Sequence, residues 1–215
     1  MTTRTRLDLF KRYRNEYVAP KQPRLIQVEP AQYLAIAAHG ASDDSHHSET
    51  AAQEKALYAV ATALRAVAVS TYQRDFVLGK LEWQLCSDNS AYTYTSKVMM
   101  RMPNFVTSDD VSHAVTSLLA RGLDESMSQW VNHASLEQIT EGLCVQMLHT
   151  GPNNIDAQIQ TLAILQDFAK AHGFEMAGPP HVVYLASSQH VPPEHLRTLL
   201  RYPVRTKHVT ECAAI

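Results

Sequence analysis

YLAIAAHG (Tyr33 to Gly40) and CVQMLHTG (Cys144 to Gly151) are the two stretches on which the fold turns. Each is an apolar strand that closes on His-Gly or Thr-Gly. A polar loop and an amphipathic helix pattern follow in both cases, and each helix leads to a second short strand, LEWQL (Leu81 to Leu85) or HVVYL (His181 to Leu185). The same order occurring twice predicts an internal duplication, because order along a chain is harder to produce by chance than five-residue likeness.

The helix between the first pair of strands is expected over Thr50 to Val69. Leu57, Val60, Ala61, Leu64, Val67 and Ala68 form its apolar stripe, and Thr50 with Gln53 make a candidate capping box. Its counterpart carries Ile155, Ile159, Leu162, Leu165 and Ala169 and stops before Gly173. A third helix begins at Thr107, where Asp110 can reach back, and turns Val111, Ala114, Val115 and Leu118 to the core as it links the halves. Before it runs a long strand, Tyr92 to Met102, with Tyr92, Tyr94, Val98, Met100 and Met102 on one face by the period of two. LLRYPV (Leu199 to Val204) is its counterpart. The fold class is therefore α+β: two strand-helix-strand-strand modules, about 24–104 and 105–206, join one antiparallel sheet with helices on one face and a ligand cleft on the other. They form a single domain over 1–215, flanked by an N-terminal segment (1–23) and a tail (207–215).

Composition narrows the function. With 215 residues and 45% apolar content, the chain can bury roughly 70% of its unfolded surface as one body. A formal charge of −2 gives no global pull toward nucleic acid or an anionic membrane. No apolar run approaches membrane-spanning length, the N-terminus lacks a secretory signal, and the three cysteines have no CxxC spacing, so a cytoplasmic location is expected. Neither direct nucleic-acid binding nor membrane association is expected, and open strand edges allow a monomer or weak homodimer. The basic N-terminal segment (Arg4, Arg6, Lys11, Arg12, Arg14), with Leu7, Phe10 and Tyr13 at three-residue spacing, reads as an amphipathic surface helix. The loop DDSHHSE (Asp43 to Glu49) has ligand-type side chains but no second pair at recognisable spacing, so no metal is assigned. Without GxSxG, Walker A, GxGxxG or HExxH, no cofactor is assigned either.

Taken in order, LDLFKRYRNEYVAPKQPRLIQVEPAQYLAIAAHG (Leu7 to Gly40), KALYAVATAL (Lys55 to Leu64), KLEWQL (Lys80 to Leu85), VMMRMPNFVTSDD (Val98 to Asp110), EGLCVQMLHTGP (Glu141 to Pro152), HVVYLASS (His181 to Ser188) and LRTLLRYPV (Leu196 to Val204) resemble the stand-alone GyrI-like small-molecule-binding proteins. These are related to the effector-binding domains of bacterial multidrug-responsive regulators. The resemblance implies a central cleft with aromatic and acidic walls, suited to amphipathic, cationic or planar compounds. Some relatives are hydrolases of strained electrophilic toxins, and in many the last strand reads His-His-Glu-Ile-Tyr-Leu. Here it is Pro180, His181, Val182, Val183, Tyr184 and Leu185.

On LEWQL the apolar Leu81, Trp83 and Leu85 alternate with Glu82 and Gln84, so the first set should meet the helices and Glu82 the cleft. A 100-residue equivalence matches Glu82 to Val182 and places Val182 and Tyr184 on the cleft side. A carboxylate on an apolar floor attracts a cation or, if burial raises its pKa, activates water. Only under the hydrolase reading do catalytic roles fall on Glu82 and Tyr184. The ligand-lining candidates are Glu82, Trp83, Tyr92, Tyr94, Met100, Phe105, Trp130, His149, Val182 and Tyr184, although Trp83 by parity, Trp130, Phe105 and the Met100 stripe also suit ordinary core packing, and His149 suits a strand-end cap. The leading expectation is a protein that sequesters or senses an amphipathic, cationic aromatic compound. Two alternatives stand beside it: a cofactor-free hydrolase, weakened by the single carboxylate at the paired positions, and a gyrase-modulator-like interaction module, for which no acidic block is present.

Overall fold

The computed structural model describes residues 6–41, 46–87, 93–186 and 191–207. Two short helices come first, α1 (Leu9–Arg12), capped by the Asp8 carboxylate on the Lys11 N–H, and α2 (Arg14–Tyr17). β1 (Arg24–Val28) and β2 (Ala31–Ala41) lead to α3 (His46–Tyr72), β3 (Glu82–Ser87) and β4 (Thr93–Arg101). Next come α4 (Ser108–Leu119), α5 (Glu125–Asn132) and β5 (Ala134–Ile139). The strand-helix-strand-strand order then repeats as β6 (Gly142–Thr150), α6 (Ile155–Ala171), β8 (His181–Tyr184) and β9 (Arg197–Thr206), with a short β7 (Phe174–Met176) added on β9.

The strands pair antiparallel in the order β1-β6-β9-β8-β3-β4-β2-β5. Along that path β1 and β2 are six steps apart, about 29 Å in a flat sheet. Yet Val28 and Ala31, joined by only two residues, lie at most about 11 Å apart. The registers explain how: Val28 is opposite Gly142 and Ala31 opposite Ile139, so residues 24–36 and 134–146 run side by side as one ladder, interrupted at Glu29-Pro30 and Thr140-Glu141. The sheet thus twists and curls until its ends meet. The helices pack on the outer face of this ring, and the opposite face of the sheet is its interior.

Alternation then divides every strand between outside and inside. Outside, Leu34, Ile36, Val98 and Met100 pack under Leu57, Val60, Ala61 and Leu64 of α3, joined by Val111, Ala114 and Leu118 of α4 and Trp130 of α5. Val145, Met147, Val182 and Leu200 pack with Leu165 and Ala169 of α6. Trp83 touches both clusters, at the seam between the halves. Inside lie Tyr33, Ala35 and Met99, and Val183 and Leu199 meet Tyr17 there.

Several local expectations change. α3 starts at His46, so Thr50 is an interior helical residue and not a cap. Ile159, expected in the α6 stripe, is 59% exposed, because the helix turns Leu162, Leu165 and Ala169 to the sheet. The N-terminal segment is two separate turns with Glu16 and Tyr17 buried, not one surface helix. The capping box of α4 forms as expected, with Thr107 Oγ1 accepting from the Asp110 N–H and the Asp110 carboxylate accepting from the Thr107 N–H. Thr107→Ala should therefore lower stability by about 1 kcal/mol in urea titration, whereas a Thr107→Ser variant should keep it within a few tenths. Among the described residues no helix is long and apolar enough to cross a membrane, and no cluster of three or more metal-type ligands occurs.

Candidate functional site

Two places concentrate chemistry, one inside the ring and one outside it. They lie on opposite faces of the β3–β8 pair. Trp83 stands opposite Val182, with Glu82 opposite Val183 and Gln84 opposite His181. A twofold rotation about the Trp83–Val182 pair makes His181, and not Val182, the counterpart of Glu82. The 100-residue equivalence was one residue out, and a one-residue slip exchanges the faces. Val182 and Tyr184 therefore point outward toward α6, correcting their expected place beside Glu82.

Inside the ring, Glu82 and His181 are both fully buried, with Glu82 Oε2 2.7 Å from His181 Nε2. Opposite charges hold this pair together in a site closed to water. Tyr17 of α2 donates its hydroxyl to Glu82 Oε1 at 2.9 Å. On its other side, His181 Nδ1 lies 3.0 Å from Glu141 Oε1, and Arg201 binds Glu141 Oε2 at 2.8 Å and Gln146 Oε1 at 3.0 Å. Arg201 also donates to the Glu16 carbonyl, while the Glu16 carboxylate pairs with Arg101 at 2.6 Å. Burial opposes a charge on His181, but Glu141 and Glu82 flank the ring and lift its pKa to about 9. For Glu141 burial acts upward, yet His181 and Arg201 prevail and bring it down to about 2. Burial, reinforced by Glu82, pushes the Tyr17 and Tyr33 phenols well above 10. With His181 protonated, three cations balance three carboxylates. α1 and α2 cover the network, and the amide of Gln146 binds the Val18 carbonyl. This is a structural core, closed to solvent, and the proposed pairing of Glu82 with Tyr184 is ruled out by their opposite faces.

Outside the ring, a groove of about 740 Å³ lies over the seam between the halves. Glu54 and Tyr58 of α3 form one wall, one helical turn apart, and Leu81, Tyr184, Leu185 and Leu196 form the floor and far side. Burial raises the pKa of Glu54 and, with Glu54 adding to it, those of Tyr58 and Tyr184. Among the described residues Glu54 pairs with no cation. Lys80 also lines the groove, but its ammonium is drawn to the Leu185 carbonyl and lies over the Phe10 ring. The geometry offers a partly desolvated carboxylate, two phenols and an aliphatic floor, and sequence reading missed Glu54. Its signal was an acidic residue four positions before Tyr58, off the stripe that faces the sheet.

The other candidates scatter. Met100 and Trp130 are buried in the outer core under α3, and Trp83 plugs the seam. His149 binds Thr161 Oγ1 at 3.0 Å and the Pro152 carbonyl at 3.3 Å, tying β6 to α6 and its preceding loop. Phe105 lies on a different cavity at the far end of α3. Tyr92, the side chain of Tyr94 and those of His46, His47 and Glu49 fall outside the described residues, as does the side chain of Ile155.

No protein-family model matches the chain, and no curated protein matches it. Solved structures do. The chain is similar to an uncharacterized conserved protein from Listeria innocua, with 26% identity, a TM-score of 0.77 and coverage of 93% of this chain and 100% of that one. A hydrolase from Listeria innocua matches at 26% identity and a TM-score of 0.73, over 93% and 100% of the two chains. The EcmrR C-terminal domain shares the fold at 11% identity and a TM-score of 0.55, over 86% of this chain and 98% of that domain. The duplicated α+β architecture, with its one large antiparallel sheet, is thus shared with all three.

Proposed function

We propose that the chain is a GyrI-like binding protein that captures an amphipathic, cationic aromatic molecule in the groove over the seam. The observation that carries this reading is Glu54: a carboxylate partly removed from water, without a cationic partner among the described residues, between two tyrosines and an aliphatic floor. A cation that enters with an apolar body gains the charge and covers Leu81, Leu185 and Leu196 together. Calorimetric titration with crystal violet should give one saturable event. Glu54→Gln should weaken it at least tenfold, about 1.4 kcal/mol, while leaving the melting temperature within a few degrees. Equal affinity in the variant would remove Glu54 from the site.

A second reading rests on the proximity of Tyr184 to Glu54 and on similarity to the Listeria hydrolase. In it, Glu54 takes a proton from a water molecule that opens a strained electrophilic ring, and Tyr184 gives its proton to the atom that leaves. Incubation with an aryl epoxide distinguishes the readings. Hydrolysis adds one water to the product mass and is lost in Tyr184→Phe; pure binding leaves the compound intact.

A further inference from the structure

A second cavity, of about 630 Å³, lies at the far end of α3 from the groove. Leu7, Leu9 and Arg12 with Tyr13 line one side, Gln73, Arg74 and Asp75 another, and Pro103, Asn104 and Phe105 the third. Its electrostatics are the reverse of the groove. Asp75 supplies the carboxylate of this wall, and Arg6 and Arg65 occupy both its oxygens at 2.6–2.7 Å, holding it far below the usual carboxylate range. Asp8 is engaged by Lys11 and the α1 cap, and Asp110, behind Phe105, accepts from Tyr72 and its own cap.

Among the described residues, Arg12 and Arg74 pair with no carboxylate. Their guanidinium groups lie over aromatic rings instead, Arg74 4.8 Å from the Phe105 centroid and Arg12 5.7 Å from that of Tyr13. Arg101 approaches Tyr13 at 3.7 Å as well, fixing that ring from within. A guanidinium over a ring keeps its N–H edge free for an anion and presents a flat surface to a planar one. Leu7, Leu9 and Pro103 add an apolar lining to the same cavity. Gln73, on the rim, holds φ at +56°, a conformation costly for a residue with a side chain.

We propose that this cavity is a second small-molecule site, selective for a planar aromatic anion held by Arg12 and Arg74. Its ligands would be aromatic carboxylates, sulfonates or phosphate monoesters, which share one anionic head on a flat apolar body. The site does not depend on the cation groove. The test is calorimetric titration of the full chain with naphthalene-1-sulfonate, with inorganic phosphate and neutral naphthalenemethanol as separate arms. One-to-one binding of the sulfonate is expected, at least tenfold tighter than either control and weakened at least tenfold in Arg12→Gln/Arg74→Gln. The variant should keep its melting temperature, since neither side chain makes an ion pair among the described residues, and Glu54→Gln should bind the sulfonate like the parent. Affinity unchanged in the double variant, no sulfonate binding at millimolar concentration, or equal binding of the neutral compound would each overturn the proposal. A loss of binding in Glu54→Gln would place the anion in the groove and overturn it too.

Discussion

Arg201→Met is expected to destabilise the chain by about 3–5 kcal/mol, the range found when one member of a buried ion pair is removed. Arg201 is 1% exposed and joins three otherwise separate parts of the ring interior: Glu141 from the β5–β6 turn, Gln146 of β6 and the Glu16 carbonyl of α2. Methionine approximates the volume but supplies no donor, so Glu141 stays charged beside His181 with one oxygen bare. Against a total stability of roughly 5–15 kcal/mol, such a loss shows as a large drop in the urea midpoint. Arg201→Met combined with Glu141→Gln should recover part of it, because the uncompensated charge goes with the carboxylate. A loss below 1 kcal/mol in the single variant would mean that the network is not what holds the N-terminal turns over the ring.

Stability should also fall on the alkaline side, with His181 as the cause. Its folded pKa of about 9 lies above the ordinary 6.5, so its contribution is complete below about pH 6.5 and disappears as pH rises through 9. Glu141 acts in the other direction: depressed from 4.5 to about 2, it stabilises fully above 4.5 and its contribution is lost as pH falls through 2. The broad optimum is thus pH 4.5–6.5. Between pH 6 and 9.5 the parent should lose on the order of a few kcal/mol. His181→Gln should be less stable at pH 6 and much flatter toward pH 9.5. A parent whose urea midpoint is level from pH 6 to 9.5 would mean that His181 sits neutral between its two carboxylates.

The repeated order of strand, helix and paired strands was legible because it depends on apolar periodicity, which a sequence displays directly. Trp83 and Glu82 fell on their observed faces since LEWQL alternates strictly. HVVYL does not: adjacent Val182 and Val183 carry no alternation, and the parity of the whole strand slipped by one. Ring closure was invisible, as it follows from a ladder between residues 24–36 and 134–146 that no local pattern announces. The interior network was missed for a related reason. Glu16, Glu82, Arg101, Glu141, His181 and Arg201 come from six segments, and their only trace was an arginine set inside each of two apolar runs, VMMRM and LLRYP.

The shared ladder bears on how such a chain could arise. β1 belongs by position to the first half yet pairs with β6 of the second, and β5, which leads into the second, pairs with β2 of the first. A half-length ancestor would have carried both edges unpaired, and two identical copies trading those edges would have closed the same ring about an exact twofold axis. Fusion of such copies would free the two sides of the axis to differ. The position that an exact twofold would make identical holds Glu82 on one strand and His181 on the other, so the two sides attract where two like groups would repel.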